Sequence, residues 1–68
     1  MNASNFTTAA YQRAYEAYHG KPSPKVTRGS AGGYVIHGEG GPSPSKTEGQ
    51  MRVLTNAMNR WAREGVSA

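Results

Sequence analysis

Residues 45–62, SKTEGQMRVLTNAMNRWA, carry the clearest helix pattern in the chain. Apolar side chains recur there every three or four positions, which is the period of an α-helix with one buried face. These apolar positions are Met51, Leu54, Met58 and Trp61. We therefore predict a helix from about residue 46 to residue 64 that packs on a core through this stripe, with Trp61 buried as its largest side chain.

Two start signals for this helix lie two residues apart. Ser45 and Glu48 have the S/T-x-x-E/Q spacing of a capping box, in which the two side chains satisfy the first free amides of a helix. Thr47 and Gln50 repeat that spacing in a second register. We predict the Ser45 start. Gly65 supplies the stop, because glycine adopts the left-handed conformation of a helix C-cap at little cost.

The opposite side of this helix carries arginine and asparagine. Their spacing of i, i+4, i+7, i+8 and i+11 places them along one side of a helix. These two residue types also have the paired donors and acceptors that match base edges of guanine and adenine. The candidate binding residues are Arg52, Asn56, Asn59, Arg60 and Arg63. The alternative, that they form only a solvated helix face, stays open.

A first helix is predicted over about residues 4–19, which are rich in alanine and so have high helix propensity. Asn2 or Ser4 can cap its start, and Gly20 ends it. Three tyrosines at i, i+4 and i+7 form one stripe, which we expect to pack on the core rather than to stack on bases. They are Tyr11, Tyr15 and Tyr18.

The segment between the helices, residues 20–45, is dominated by Gly, Pro and Ser. Within it, the sequences KVTR at Lys25–Arg28 and YVIH at residues 34–37 have the composition of β-strands. The glycine-rich residues 29–33 separate these runs. The pattern predicts a β-hairpin.

The predicted fold is α+β, with one small domain over residues 1–68 in the order helix, β-hairpin, helix. Tyr34 and Ile36 are expected to face the core from the hairpin, because successive strand residues point to opposite faces. The expected helix contacts are Tyr11, Tyr15, Leu54, Met58 and Trp61. The alternative fold is a two-helix hairpin with a disordered middle.

Composition excludes several kinds of protein. The chain has 68 residues and no cysteine, so disulfides and thiol chemistry are absent. His19 and His37 lie far apart without a nearby carboxylate pair, so we predict neither a metal site nor a cofactor. A chain this short has little core, which favours a mobile segment or a partner that completes the fold.

No enzymatic constellation is recognisable. The chain has four carboxylate side chains, and they are dispersed, so no acid and base pair can be named. They are Glu16, Glu39, Glu48 and Glu64. The glycines at residues 29–33 lack the Gly-Lys-Ser/Thr ending of a phosphate-binding loop. We predict that the protein is not an enzyme and has no catalytic residues.

The charge balance favours an anionic partner. Eight Lys and Arg against four Glu give a net charge of +4, although a surplus of this size also serves solubility alone. Four further cations, in or beside the middle segment, could neutralise phosphates. They are Lys21, Lys25, Arg28 and Lys46. We predict a small basic binding module that contacts nucleic acid through the second helix and this basic loop.

The rival prediction is a protein-binding accessory of bacterial or phage type, either a host-enzyme inhibitor or a small component of a larger assembly. The scarce core and the long Gly/Pro/Ser segment favour it, because long irregular segments in compact domains are usually functional or disordered. Self-association into a homo-oligomer is also left open. The sequence has no signal-peptide pattern and no apolar run of membrane-spanning length, so we expect a cytoplasmic protein with no membrane partner.

Overall fold

The computed structural model of the chain describes residues 3–29 and 32–66. The elements are α1 (Ala3–His19), β1 (Lys25–Arg28), β2 (Tyr34–Gly38), β3 (Gly41–Pro42) and α2 (Glu48–Glu64). The strands form one antiparallel sheet in the order β1-β2-β3. The predicted α+β order of helix, hairpin and helix is therefore confirmed, with a short third strand in addition.

Helix α1 ends at His19, as predicted. Gly20 has a φ of 70°, and its amide donates to the carbonyl oxygen of Glu16 at 2.9 Å, which closes the last turn. Of the two predicted caps, Asn2 lies outside the described residues, and so does the side chain of Ser4.

The N-cap of α2 is Thr47, two residues later than the predicted Ser45 cap, so that prediction is wrong. The Thr47 hydroxyl accepts from the Gln50 amide at 3.1 Å, and the Gln50 side chain accepts from the Thr47 amide at 2.8 Å. The physical reason is that Lys46 exchanges two backbone hydrogen bonds of 2.8 Å with Tyr34, which keeps residue 46 extended beside β2. At the other end Gly65, with a φ of 74°, caps the helix as expected.

The hairpin pairs β1 with β2, from Lys25 opposite His37 to Arg28 opposite Tyr34. Its loop is closed by the Gly29 amide, which donates to the Gly33 carbonyl oxygen at 2.7 Å. Residues 30 and 31 of the loop lie outside the described residues. A Cβ at Gly33 would meet the Ser45 hydroxyl and the Lys46 carbonyl oxygen, so a larger residue there would require the Ser45 side chain to move.

After β2 the chain turns and runs back along it. Residues 39–40 form this turn, and Gly41 follows it with a φ of 98°. The Ser43 amide donates to the Ile36 carbonyl oxygen at 2.9 Å, and Lys46 pairs with Tyr34. Backbone hydrogen bonds thus hold residues 41–46 on the sheet. The two-helix alternative with a disordered middle is therefore wrong for the described residues.

The two helices run parallel to each other. Near their starts the Thr7 hydroxyl of α1 donates to Oε2 of Glu48, and near their ends the rings of Tyr18 and Trp61 lie 5.4 Å apart. Three passes of chain separate the helices, namely β1, β2 and the returning residues 41–46. Because each pass reverses direction, α2 starts at the same end as α1.

The core lies between the helix pair and the sheet. Its buried apolar side chains come from α1, β2 and α2, and they are Tyr11, Ala14, Tyr34, Met51 and Met58. Partly buried apolar side chains from the same elements and from β1 pack around them, including the expected Tyr15, Ile36 and Leu54. The hairpin therefore covers one side of the helix pair, as predicted.

The expected burial of Trp61 is wrong, because its side chain is 40% exposed. The face of α2 that is turned to the core is centred on Met51, Thr55 and Met58, all buried. Trp61 lies about 60° round the helix from Met58 and so falls at the edge of this face. It packs there against Tyr18.

Candidate nucleic-acid interface

The predicted polar stripe of α2 is exposed along its whole length. At 3.6 residues per turn, four of its five members fall within an arc of about 60°. They are Arg52, Asn56, Asn59 and Arg63. Arg60 lies about 40° further round, where its Nε pairs with Oε2 of Glu64 at 3.3 Å. The structure thus keeps four of the five together.

A groove runs between this stripe and α1. It has a volume of about 380 Å³, and it is lined on the α2 side by Arg52, Asn56 and Asn59. Phe6 and Ala10 line the α1 side, with the buried Thr7 and Thr55 between the helices. Phe6 is 62% exposed, so an aromatic ring stands on the surface opposite arginine and amide side chains.

Helix α1 adds a cation that sequence reasoning missed. Arg13 follows Phe6 by seven residues, which is two turns, so it lies on the same side of α1, and it is exposed. The i, i+7 spacing of Phe6 and Arg13 was visible in the sequence. It places Arg13 beside the polar stripe of α2 only because the two helices run parallel. We call the combined surface the two-helix face, and define it as Phe6, Ala10, Arg13, Arg52, Asn56, Asn59 and Arg63.

Glu48 fixes one end of the two-helix face. Its carboxylate accepts from the Thr7 hydroxyl and, at 2.7 Å, from the Tyr34 hydroxyl. Arg28 in turn donates to the Tyr34 hydroxyl at 2.9 Å and lies over the Tyr34 ring, 4.5 Å from its centroid. The hydrogen bond from Thr7, followed by that from Tyr34, lowers the pKa of Glu48 below its ordinary value of 4.5.

Arg28 of β1, one of the predicted loop cations, therefore lies at this end of the two-helix face. Both Arg28 and Arg52 act electrostatically on the Glu48 carboxylate. The Nε of Arg52 lies 3.9 Å from Oε2 of Glu48. The Arg52–Glu48 pair is exposed, and so is the Arg60–Glu64 pair. Exposed ion pairs contribute little to stability, so Arg52 and Arg60 can each turn to a phosphate at small cost.

The other predicted loop cations do not join the two-helix face. Lys21 lines a separate pocket of about 340 Å³ on the sheet side, together with Tyr15 and His37. Lys25 lies opposite His37 in the sheet. Lys46 is held against β2 by its backbone and lies beside the first turn of α2. The predicted set of cations is thus distributed over several surfaces.

A different exposed surface of α2 is apolar. Val53 is 68% exposed, and it lines an open depression of about 550 Å³ with Leu54 and Lys46. Because Val53 follows Arg52 directly, it points about 100° away from it round the helix. We call this surface the Val53 patch, and define it as Lys46, Gly49, Gln50, Val53 and Leu54.

The histidines take part in local contacts. His19 packs on Tyr15 with ring centroids 4.1 Å apart, and Nε2 of His37 lies 2.8 Å from the Thr27 hydroxyl. Over residues 3–29 and 32–66 no group of three metal-ligating side chains occurs. In the same residues no helix is long and apolar enough to cross a membrane.

Neither the family models, nor the curated proteins, nor the solved structures with which the chain was compared match it. Any function of the two-helix face and the Val53 patch must therefore be inferred from their own residues.

Proposed function

We propose that this chain is a small basic, non-enzymatic module that binds nucleic acid through the two-helix face. The observation that carries the proposal is the groove that sets the exposed ring of Phe6 opposite Arg52, Asn56 and Asn59. Such a module needs no cofactor, and we expect it to act in the cytoplasm.

Each residue type of the two-helix face has a distinct task in such binding. Arg13, Arg52 and Arg63 provide cations along both helices, and neutralising phosphates releases counterions, which supplies affinity. Asn56 and Asn59 offer both donors and acceptors, as base edges require. The net charge of +4 supports attraction of a polyanion to this surface at long range.

The first test is the salt dependence of binding, measured by fluorescence anisotropy with labelled single-stranded DNA, RNA and duplex DNA. About four phosphate contacts predict a log-log slope of roughly −3 for a single strand and −4 for a duplex. Failure to bind any of the three probes more tightly than about 10⁻⁴ M at low salt would exclude the proposal.

A pair of charge-matched double variants assigns the surface. Replacing Arg52 and Arg63 by Ala removes two cations from the two-helix face, whereas replacing Lys21 and Lys25 by Ala removes two from the sheet side. Both proteins lose the same net charge. We expect the arginine variant to bind at least tenfold more weakly and to lose about two units of salt slope, with a much smaller effect for the lysine variant.

The Val53 patch supports a second candidate function, the binding of a partner protein. A valine that is 68% exposed beside a half-buried Leu54 gives α2 an apolar surface that the core does not use. Capture of the same protein partner from a nuclease-treated lysate by the parent chain, and its loss in Val53→Ser, would support this function. If the anisotropy experiment detected no binding of nucleic acid, protein binding would become the proposed function.

A further inference from the structure

We infer that the two-helix face takes single-stranded nucleic acid rather than a duplex, with Phe6 stacked on an unpaired base. This inference rests on the proposed function and names the class of nucleic acid that the same surface accepts.

Helix packing disfavours entry of the polar stripe into the major groove of a duplex. A single helix with its side chains is about 10–12 Å wide, which just fits a major groove of about 12 Å. Here α1 packs directly beside the stripe, because Phe6 and Ala10 line the same groove as Arg52 and Asn56. Two packed helices with axes 8–10 Å apart are together about 20 Å wide and cannot enter that groove. Packing of α1 therefore restricts the approach of Asn56 and Asn59 to paired base edges.

The exposure of Phe6 gives the positive part of the argument. A phenyl ring contributes nothing to a phosphate contact, but it can stack on the face of a base that is not already stacked in a helix. The ring is 62% exposed at the rim of the groove, so a base can approach it without any change in the protein core.

The groove itself has the size and polarity for an unpaired base. Its volume of about 380 Å³ lies within the range of roughly 300–1,000 Å³ that is typical of small-ligand sites. Asn56 and Asn59 on its wall can pair with the Watson–Crick edge that is free only in a single strand. Arg52 lies beside them and can hold the adjoining phosphate.

The test compares three probes of one sequence, single-stranded DNA, single-stranded RNA and blunt duplex DNA, each about 12 nucleotides long. Titrations by fluorescence anisotropy use the full chain at low salt. We expect at least one single-stranded probe to bind about tenfold or more tightly than the duplex.

Variants at Phe6 test the stacking contact. Phe6→Ala should weaken single-strand binding by roughly 5- to 150-fold, and Phe6→Leu should fail to restore it, because leucine is apolar but has no π face. Phe6→Trp should keep the affinity. Val66→Ala is the matched control, since it truncates an exposed apolar residue that follows α2 and belongs to neither candidate binding surface, and it should leave binding unchanged. Circular dichroism confirms that each variant is folded.

The outcomes separate the two proposals. Equal or tighter binding of the duplex, or single-strand binding that Phe6→Ala leaves unchanged, overturns the inference while nucleic-acid binding stands. Full binding by Phe6→Leu overturns the stacking contact in the same way. Absence of binding to all three probes overturns the proposed function together with the inference.

Discussion

At the scale of single residues, Glu48 has the widest structural role on the surface. It belongs to α2, yet it accepts hydrogen bonds from Thr7 of α1 and Tyr34 of β2. The Tyr34 hydroxyl donates its hydrogen to Glu48 and accepts a hydrogen bond from Arg28. One ionised carboxylate thus joins both helices and the sheet at the end where the two-helix face begins.

This arrangement predicts loss of stability in acid. The pKa of Glu48 is lowered in the folded state from the ordinary value of 4.5, with the Thr7 hydrogen bond as the leading cause. A lowered carboxyl pKa stabilises the fold above the unfolded value and ceases to do so as the pH falls through the folded value. As the pH is lowered below about 4.5, we expect the melting temperature to decrease. The decrease should be smaller in Glu48→Gln, because the glutamine amide does not titrate in this range. A parent and a Glu48→Gln variant with the same acid dependence would contradict the role given to this carboxylate.

The core positions on α2 show what a hydrophobic pattern can and cannot predict. The sequence correctly predicted Met51 and Met58 in the core, because their apolar spacing is helical. It misplaced Trp61 and passed over Thr55, a polar residue that is only 8% exposed. A periodic pattern gives the direction of a buried face to within a residue or so, whereas its centre depends on where α1 packs.

This difference can be measured by chemical denaturation. Met51 is fully buried, so Met51→Ala should lower the free energy of unfolding by about 2–5 kcal/mol. Trp61→Ala should cost less, because its side chain keeps 40% of its surface in solvent and leaves no closed cavity. If the Trp61 variant were the less stable of the two, Trp61 could not lie at the edge of the buried face of α2.

At the scale of elements, the start of α2 was decided by tertiary contacts. The sequence offered caps at Ser45 and Thr47, and local chemistry favours both. The backbone pairing of Lys46 with Tyr34 selects Thr47, since a residue held in a sheet cannot also be in the first turn of a helix. Strand pairing of this kind is not visible in a capping motif.

Matched substitutions distinguish the two caps. Thr47→Ala should destabilise the fold by about 1 kcal/mol, because the Gln50 amide loses its acceptor. Ser45→Ala should have an effect well below that. Urea denaturation measures both. An equal loss in the two variants, or a larger loss at Ser45, would move the helix start back to the earlier register.

At the scale of the whole molecule, residues 41–46 determine how the two helices are oriented and so how the two-helix face is formed. A hairpin of two strands between the helices would return the chain to the far end of α1, and the helices would run antiparallel. Residues 41–46 add a third pass, so the helices run parallel and Phe6 comes to lie beside Arg52 and Asn56. With antiparallel helices Phe6 would instead lie near the end of α2.

The same feature explains how much of the site was predictable. The contribution of α2 followed from helical spacing, and the structure keeps Arg52, Asn56, Asn59 and Arg63 together. The contribution of α1 did not follow, because it depends on the path of a glycine- and proline-rich segment whose third pass has only two strand residues. For the same reason Lys21 and Lys25 were grouped with α2 in sequence although they lie on another surface.

The most direct measurement of the central claim uses side-chain signals in heteronuclear NMR spectra during titration with a single-stranded oligonucleotide. Binding at the two-helix face predicts large shifts of the side-chain amides of Asn56 and Asn59, with little change at the Gln50 amide or the Trp61 indole. Asn56 and Asn59 report on one side of α2, and Gln50 and Trp61 report on the opposite side. Shifts at Gln50 and Trp61 with none at Asn56 and Asn59, or no shift at any of them at saturating probe, would contradict it.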